Sequence, residues 1–179
     1  MNLDKMKIGD NAPNEVNVLI ENPMGGVPVK YELDKETGCM VVDRFLHTTM
    51  FYPGNYGFIP HTLSGDGDPV DVLVVGRTPV VPGAIMAVRP VGVLLMEDDG
   101  GTDEKIIAVP ADRLHPYHAD VENHTDLRKI NREQIEHFFT HYKDLEPGKW
   151  SKMLGWGDAA KARALILEGV ERAKGEKAA

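Results

Sequence analysis

Short apolar runs separated by glycine and proline fill the first two thirds of the chain. Runs of this length between turn residues predict β-strands. Proline at the ends of the runs keeps the strands short, because proline cannot donate a ladder hydrogen bond. The predicted strands are Val16–Ile20, Val27–Leu33, Met40–Phe45, Val70–Val75, Ala84–Leu95 and Lys105–Val109.

The last third of the chain has helical periodicity. Asn131 with Gln134 three residues later resembles a capping box and predicts a helix start. The helix is predicted to run to about Leu145, before the sequence Glu-Pro-Gly. Its apolar face consists of Ile135, Phe138, Phe139 and Tyr142.

A second helix is predicted to begin at Asp158, which serves as its N-cap. Its apolar positions are Ala164, Leu165, Ile166 and Val170. Many strands followed by two helices predict a mainly β (α+β) fold, a small closed barrel with the helices packed outside. The length of 179 residues fits one domain, residues 1–179.

Composition narrows the class of function. The chain has 28 acidic and 20 basic side chains, a net charge of −8, which disfavours a nucleic-acid partner. Cys39 is the only cysteine, so no internal disulfide can form, and a reducing compartment is expected. No stretch approaches the roughly 18 apolar residues of a membrane helix. We therefore expect a cytoplasmic protein without a membrane partner.

The most informative segment is an acidic loop that leads into an apolar strand. Asp66, Asp68 and Asp71 place three carboxylates within six residues. Like charges at this spacing repel, and a hard divalent cation such as magnesium or calcium would relieve the repulsion. A solvated acidic turn is the alternative. An EF-hand does not fit, because Val70 and Arg77 would fall at ligand positions.

Two strand segments carry paired charges. Lys30 and Glu32 lie two residues apart and so share a strand face, and Asp103 and Lys105 repeat the arrangement. Asp98 stands five residues before Asp103. The pattern predicts acid and base side by side on a polar inner surface. Solvent-exposed strands joined by salt bridges would give the same spacing.

These residues together resemble the family I, soluble inorganic pyrophosphatases in their bacterial short form. The signature is DGDPVDV at Asp66–Val72, and the resemblance extends from about Val16 to Trp156. It implies a closed five-stranded barrel like that of oligonucleotide-binding (OB) folds. Further matching positions are Glu21 in IENPMG, Lys30 and Glu32 in VKYE, Arg44 in VDRF, Tyr52 and Tyr56 in FYPGNYGFIP, Asp98, Asp103 and Lys105 in MEDDGGTDEKIIAVP, and Tyr142 and Lys143 in HFFTHYKDLEPGKW.

The resemblance implies hydrolysis of pyrophosphate to two phosphates by a metal-activated water. Asp68 is the expected general base, and the catalytic set also includes Tyr56, Lys30 and Arg44. The implied metal ligands are Asp66, Asp71, Asp98, Asp103 and Glu21. The implied substrate-binding side chains are Lys30, Glu32, Arg44, Tyr52, Tyr56, Lys105, Tyr142 and Lys143.

Charge explains why such a site needs metal. Its seven carboxylates outnumber its four cations and give a net charge of −3, which repels pyrophosphate. Two magnesium ions change this to +1, so we expect Mg²⁺ as cofactor, with Mn²⁺ or Zn²⁺ as substitutes. The alternative function is a metal-binding or nucleic-acid-binding barrel without catalysis. It would not need four cations and three tyrosines in the same pocket.

His137 and His141 lie at i and i+4 on the first predicted helix. This spacing can hold zinc. It also suits a subunit contact, because the resemblance implies a homohexamer built as a dimer of trimers. Both interpretations remain open from the sequence.

Overall fold

The computed structural model describes residues 3–178, which form eight strands and two α-helices. The strands are β1 Val16–Asn22, β2 Val29–Asp34, β3 Cys39–Phe45, β4 Asn55–Phe58, β5 Asp71–Val74, β6 Ile85–Asp98, β7 Gly101–Pro110 and β8 Ser151–Asp158. The helices are α1 Lys129–His141 and α2 Ala159–Ala178.

Five strands close into a ring. The main sheet has the order β1-β4-β5-β7-β6-β8, and an additional pairing of β1 with β6 closes the first five of these strands into the ring. β8 extends the sheet beyond the ring, and β2 with β3 forms a separate hairpin. The mainly β fold with a closed five-stranded barrel and two flanking helices is thereby confirmed.

Alternation along the strands of the ring supplies two apolar clusters. In β5, Val72 and Val74 pack in the cluster that contains Ile166 of α2, whereas Leu73 packs in the cluster that contains Phe139 of α1. Strands covered on both faces need continuous apolar runs, which is the pattern the sequence shows here. The helices thus bury the two sets of side chains that alternate along one strand.

The structure adds two strands that the sequence pattern did not predict. β4 is only four residues long and contains Gly57, and β8 contains Gly155 and Gly157. Glycine lowers strand propensity, so neither segment has the apolar alternation on which the prediction relied. Both strands are instead held by their neighbours in the sheet.

The predicted start of the first helix is wrong. The helix begins at Lys129 after Arg128, two residues before the expected cap at Asn131, and it ends at His141 rather than near Leu145. The second cap is confirmed, because the Asp158 carboxylate accepts a hydrogen bond from the backbone N–H of Lys161 at 2.8 Å. No helix within residues 3–178 combines the length and apolar composition that crossing a bilayer requires.

Gly57 sits where two strands approach closely. Its partner positions are Ile20 on β1 and Val72 on β5. A Cβ atom at Gly57 would lie 1.8 Å from the carbonyl oxygen of Leu19. Only a residue without a side chain fits between these backbones.

We predict that Gly57→Ala lowers the free energy of unfolding by about 3 kcal/mol, because the strand must shift to relieve the overlap. Urea unfolding of the metal-free protein measures the change. Gly65→Ala is the matched control, since its Cβ would meet no atom within 4 Å. Equal stability of the two variants would contradict the close approach.

Candidate active site

The centre of the site is a buried lysine between two aspartates. Parallel pairing of β5 with β7 sets Asp71 opposite Lys105. The Lys105 ammonium lies 2.5 Å from a carboxylate oxygen of Asp71 and 2.5 Å from one of Asp103, and the lysine is only 5% exposed. The Tyr56 hydroxyl donates a second hydrogen bond to Asp71 at 2.5 Å. The structure therefore joins four of the predicted site residues in one network.

Burial and neighbouring charges have opposite effects on the pKa values of Lys105 and Asp103. Burial alone would lower the pKa of Lys105, but the carboxylates of Asp71 and Asp103 raise it above its usual value. The pKa of Asp103 is raised, chiefly by burial, although Lys105 counteracts the effect. Burial also raises the pKa of Tyr56 well above that of a free tyrosine. Lys105 therefore stays charged, and Tyr56 stays a hydrogen-bond donor.

Glu21 of β1 lies beside this centre. The side chain is 8% exposed, and one of its carboxylate oxygens accepts a hydrogen bond from the backbone N–H of Leu33 at 2.8 Å. Burial, with a smaller contribution from the charges of Asp71 and Glu32, raises the pKa of Glu21 to about 7. A nearby cation would favour its ionised form.

The acidic loop forms the outer wall. Gly67 has a φ of 92°, a backbone conformation that favours glycine, and the backbone N–H of Asp68 donates to the Asp66 carboxylate at 3.0 Å. Asp66, Asp68 and Asp71 then face one cavity of about 290 Å³. Further predicted site residues that line this cavity are Glu21, Lys30, Glu32 and Tyr56.

The β2–β3 hairpin carries a row of alternating charges over the cavity. Lys30 pairs with Glu32 on its own strand and with Asp43 at 3.3 Å across the hairpin. Asp43 in turn accepts from Arg44 at 2.8 Å, and Arg44 reaches Glu146 at 3.2 Å. This row confirms that Lys30 and Glu32 share a strand face, and it links Arg44 to them through Asp43.

The opposite side of the site is formed where β6 meets the residues after α1. The Lys143 ammonium lies 2.6 Å from Asp98 and 3.6 Å from Asp99, and Asp99 also pairs with Lys149 at 2.7 Å. Antiparallel pairing of β6 with β7 sets Asp103 opposite Met96, two residues before Asp98, so this group lies beside the central network.

Tyr52 and Tyr142 belong to both the core and the site. The ring of Tyr52 lies 5.3 Å from that of Tyr56, and the ring of Tyr142 stacks on Phe138 at 5.2 Å. Burial raises the pKa of Tyr52 and of Tyr142, whereas the charge of Lys105 acts in the opposite direction for both. Both rings pack in the apolar core, and the substrate contact that the family resemblance implies for their hydroxyl groups stays a prediction.

Several charged neighbours were not predicted from the sequence. They carry no periodic or motif signal, although Asp43 adjoins Arg44, and Asp99 adjoins Asp98 in the chain. Their importance appears only through contacts between distant segments. These additional residues are Lys35, Asp43, Asp99, Glu146 and Lys149.

The donor atoms of the site fit a hard divalent cation, because carboxylate oxygens dominate its lining. Within residues 3–178, however, no three ligand-type side chains converge into a ready-made metal cluster. The carboxylates instead pair with ammonium groups, as in Asp71 with Lys105 and Asp98 with Lys143. Binding of a cation at these oxygens would require the ammonium groups to move aside.

Known proteins share both the sequence and the fold. The family model described as inorganic pyrophosphatase matches residues 18–174. An inorganic pyrophosphatase of Agrobacterium fabrum is 59% identical over 174 residues, 97% of this chain and 98% of the relative. That of Rhodospirillum rubrum is 61% identical over 170 residues, 95% of each chain.

Solved structures agree with these sequence relatives. The crystal structure of an inorganic phosphatase from Anaplasma phagocytophilum has a TM-score of 0.93 and 51% identity, and covers 95% of this chain and 99% of that one. The inorganic pyrophosphatase of Thermus thermophilus has a TM-score of 0.91 and 43% identity, with coverage of 97% and 99%. Sequence, fold and site thus lead to one conclusion: the chain belongs to the inorganic pyrophosphatase family.

Proposed function

We propose that the protein hydrolyses inorganic pyrophosphate to two orthophosphates by direct attack of a metal-activated water. The observation that carries the proposal is the cavity in which Asp66, Asp68 and Asp71 face Lys30 and Tyr56. Acidic side chains suited to divalent cations and cationic side chains suited to phosphate line the same space. The match to the family favours this activity over a binding barrel without catalysis.

The carboxylates divide into ligand groups in this proposal. Asp66, Asp71 and Asp103 would hold one cation, and Asp71 would also serve a second. Asp98 and Asp103 would hold a third, and Glu21 would serve a fourth that accompanies the substrate. When bound, magnesium supplies positive charge and lowers the pKa of the attacking water.

Asp68 is the proposed general base that takes the proton of this water. It is exposed at the cavity wall, and the Lys105–Asp71 pair lies within the buried part of the site. Neither a serine nor a cysteine nucleophile is required, so no phosphoenzyme forms.

The cations of the site then serve the phosphate oxygens. Each lysine of the site is paired with a carboxylate here, and a divalent cation bound at the carboxylates would take the place of the ammonium group. The ammonium groups would then be available to stabilise charge on the leaving phosphate. The side chains proposed to bind substrate are Lys30, Glu32, Arg44, Tyr52, Tyr56, Lys105, Tyr142 and Lys143.

The remaining proposals concern cofactor, assembly and location. We infer Mg²⁺ as the working ion, with Mn²⁺ or Zn²⁺ as substitutes. We also infer one domain over residues 1–179, a homohexamer built from two trimers, and a cytoplasmic location.

The rings of His137 and His141 lie 4.8 Å apart on α1, and His141 reaches Asp144 at 2.8 Å. Since no group of three metal-ligand side chains occurs within residues 3–178, we infer a subunit contact for the two histidines and not a zinc site.

Purified protein is expected to release phosphate from pyrophosphate with Mg²⁺ and to lose that activity in excess chelator, because the metal-free pocket repels the substrate. A phosphate-release assay measures this. In oxygen-18 water, one label enters product phosphate per turnover. Tight pyrophosphate binding in excess chelator, or a trapped phosphorylated residue, would overturn the mechanism.

We predict that Asp68→Asn lowers kcat by roughly 10²–10⁴-fold, because the amide cannot accept the proton of the attacking water. This variant should still bind Mn²⁺, which calorimetric titration measures. Asp10→Asn is the control, since Asp10 is an exposed carboxylate that pairs only with Lys7 among the described side chains. A fully active Asp68→Asn enzyme would remove Asp68 from the role of base.

We predict that Lys105→Met lowers the free energy of unfolding of the metal-free protein by about 3–5 kcal/mol, because Asp71 and Asp103 lose their buried counter-charge. Added Mg²⁺ should recover part of the loss by binding the two carboxylates. Urea unfolding with and without chelator measures both effects, and Lys152→Met is the exposed control. A loss unaffected by Mg²⁺ would show that these carboxylates hold no ion.

A further inference from the structure

Asp68 forms an ion pair with a lysine that lies outside the acidic loop. The Lys35 ammonium lies 3.2 Å from Oδ1 of Asp68, although the two residues are 33 positions apart in the chain. Within residues 3–178, Lys35 is the only side chain in contact with this carboxylate. The contact joins the tip of the β2–β3 hairpin to the acidic loop.

Both ends of this contact are fixed through the backbone. Around Asp68, the Ser64 N–H donates to the carbonyl of Asp68 at 2.6 Å, and the Asp68 N–H donates to Asp66 at 3.0 Å. These bonds fix the position of the Asp68 main chain but leave its side chain free to rotate. The carboxylate therefore depends on Lys35 for its direction.

The hairpin turn that carries Lys35 is organised by Asp34. One Asp34 carboxylate oxygen accepts from the backbone N–H of Glu36 at 2.9 Å, and the other accepts from the Thr37 hydroxyl at 2.7 Å. The Gly38 N–H also donates to the carbonyl of Asp34 at 2.7 Å. Lys35 thus extends from a turn that is held by several hydrogen bonds.

The two carboxylate oxygens of Asp68 have different surroundings. Lys35 occupies Oδ1, and Oδ2 has no partner among the described residues. A general base works best when a third group orients it toward the nucleophile. We propose that Lys35 is the positioning residue of the general base, holding Asp68 by Oδ1 so that Oδ2 faces the attacking water. The inference rests on the proposed hydrolysis.

Stability does not explain the pair. The side chains of Lys35 and Asp68 are 52% and 76% exposed, and ion pairs at such sites contribute little to folding. The Lys7–Asp10 pair has a similar separation, 3.1 Å, and is also exposed, but it lies away from the cavity. This second pair offers a control for any general effect of losing a surface lysine.

The test compares Lys35→Met, Lys35→Arg and Lys7→Met in steady-state pyrophosphate hydrolysis with Mg²⁺. Lys35→Met is expected to lower kcat about tenfold and to leave KM within about twofold, because orientation acts on the reacting group more than on substrate binding. Lys35→Arg should recover most of the loss, since a guanidinium can pair with the same oxygen. Lys7→Met should match the parent enzyme.

A double-mutant cycle separates positioning from other effects. If Lys35 acts through Asp68, adding Lys35→Met to Asp68→Asn causes no further loss of kcat. Calorimetric titration with Mn²⁺, without substrate, should show that Lys35→Met binds the ion at least as tightly as the parent, because a cation has been removed from an acidic cavity. Additive losses in the cycle, or weaker Mn²⁺ binding, would overturn the positioning role.

The outcomes also separate this inference from the proposed function. A parent enzyme that releases phosphate normally, with Lys35→Met equally active, overturns the role of Lys35 alone. A parent that releases no phosphate from pyrophosphate overturns the proposed function and this inference with it.

Discussion

The site depends on the neutralisation of crowded carboxylates by buried ammonium groups. Lys105 is held between Asp71 and Asp103 within the sheet, where an unpaired charge would cost several kcal/mol. The contact is set by strand register, because parallel pairing of β5 with β7 aligns Asp71 with Lys105. The strand order of the ring thus determines that Asp71 forms its ion pair with Lys105.

The site is divided between a closed ring and a separate hairpin. Strands of the ring carry Glu21, Asp71 and Lys105. Asp71 and Lys105 are paired with neighbouring strands on both sides, whereas Glu21 lies at an irregularity in the pairing of β1 with β4. The hairpin carries Lys30 and Arg44 on a two-stranded sheet of its own. The ring therefore holds both a carboxylate and an ammonium group of the site, and the hairpin adds further charged side chains from outside the ring.

Sequence patterns predicted those parts of the fold that follow from local periodicity. Apolar runs predicted six of the eight described strands, and capping chemistry placed Asp158 at the start of α2. β4 and β8 were not predicted, because their glycines interrupt the apolar pattern of a strand. Both segments are extended because they pair with neighbouring strands of the sheet. The acidic loop and the paired charges on two strands were identified from residue type and spacing, but the remaining predicted site residues required the family resemblance. Those residues are Glu21, Arg44, Tyr52, Tyr56, Tyr142 and Lys143. Lys35 was missed by both routes, since a charged residue in a turn has no distinguishing pattern.

The pairing of charges in the site also bears on how an acidic protein can bind an anionic substrate. Within the site each lysine lies beside a carboxylate, so at distances beyond a Debye length of about 8 Å the pairs act as near-neutral dipoles. The overall charge of −8 then sets the long-range field, which offers no attraction to pyrophosphate. In the proposed mechanism, the attraction arises locally from divalent cations bound at the carboxylates. The ammonium groups that neutralise these carboxylates in the metal-free protein are then the groups proposed to bind the substrate.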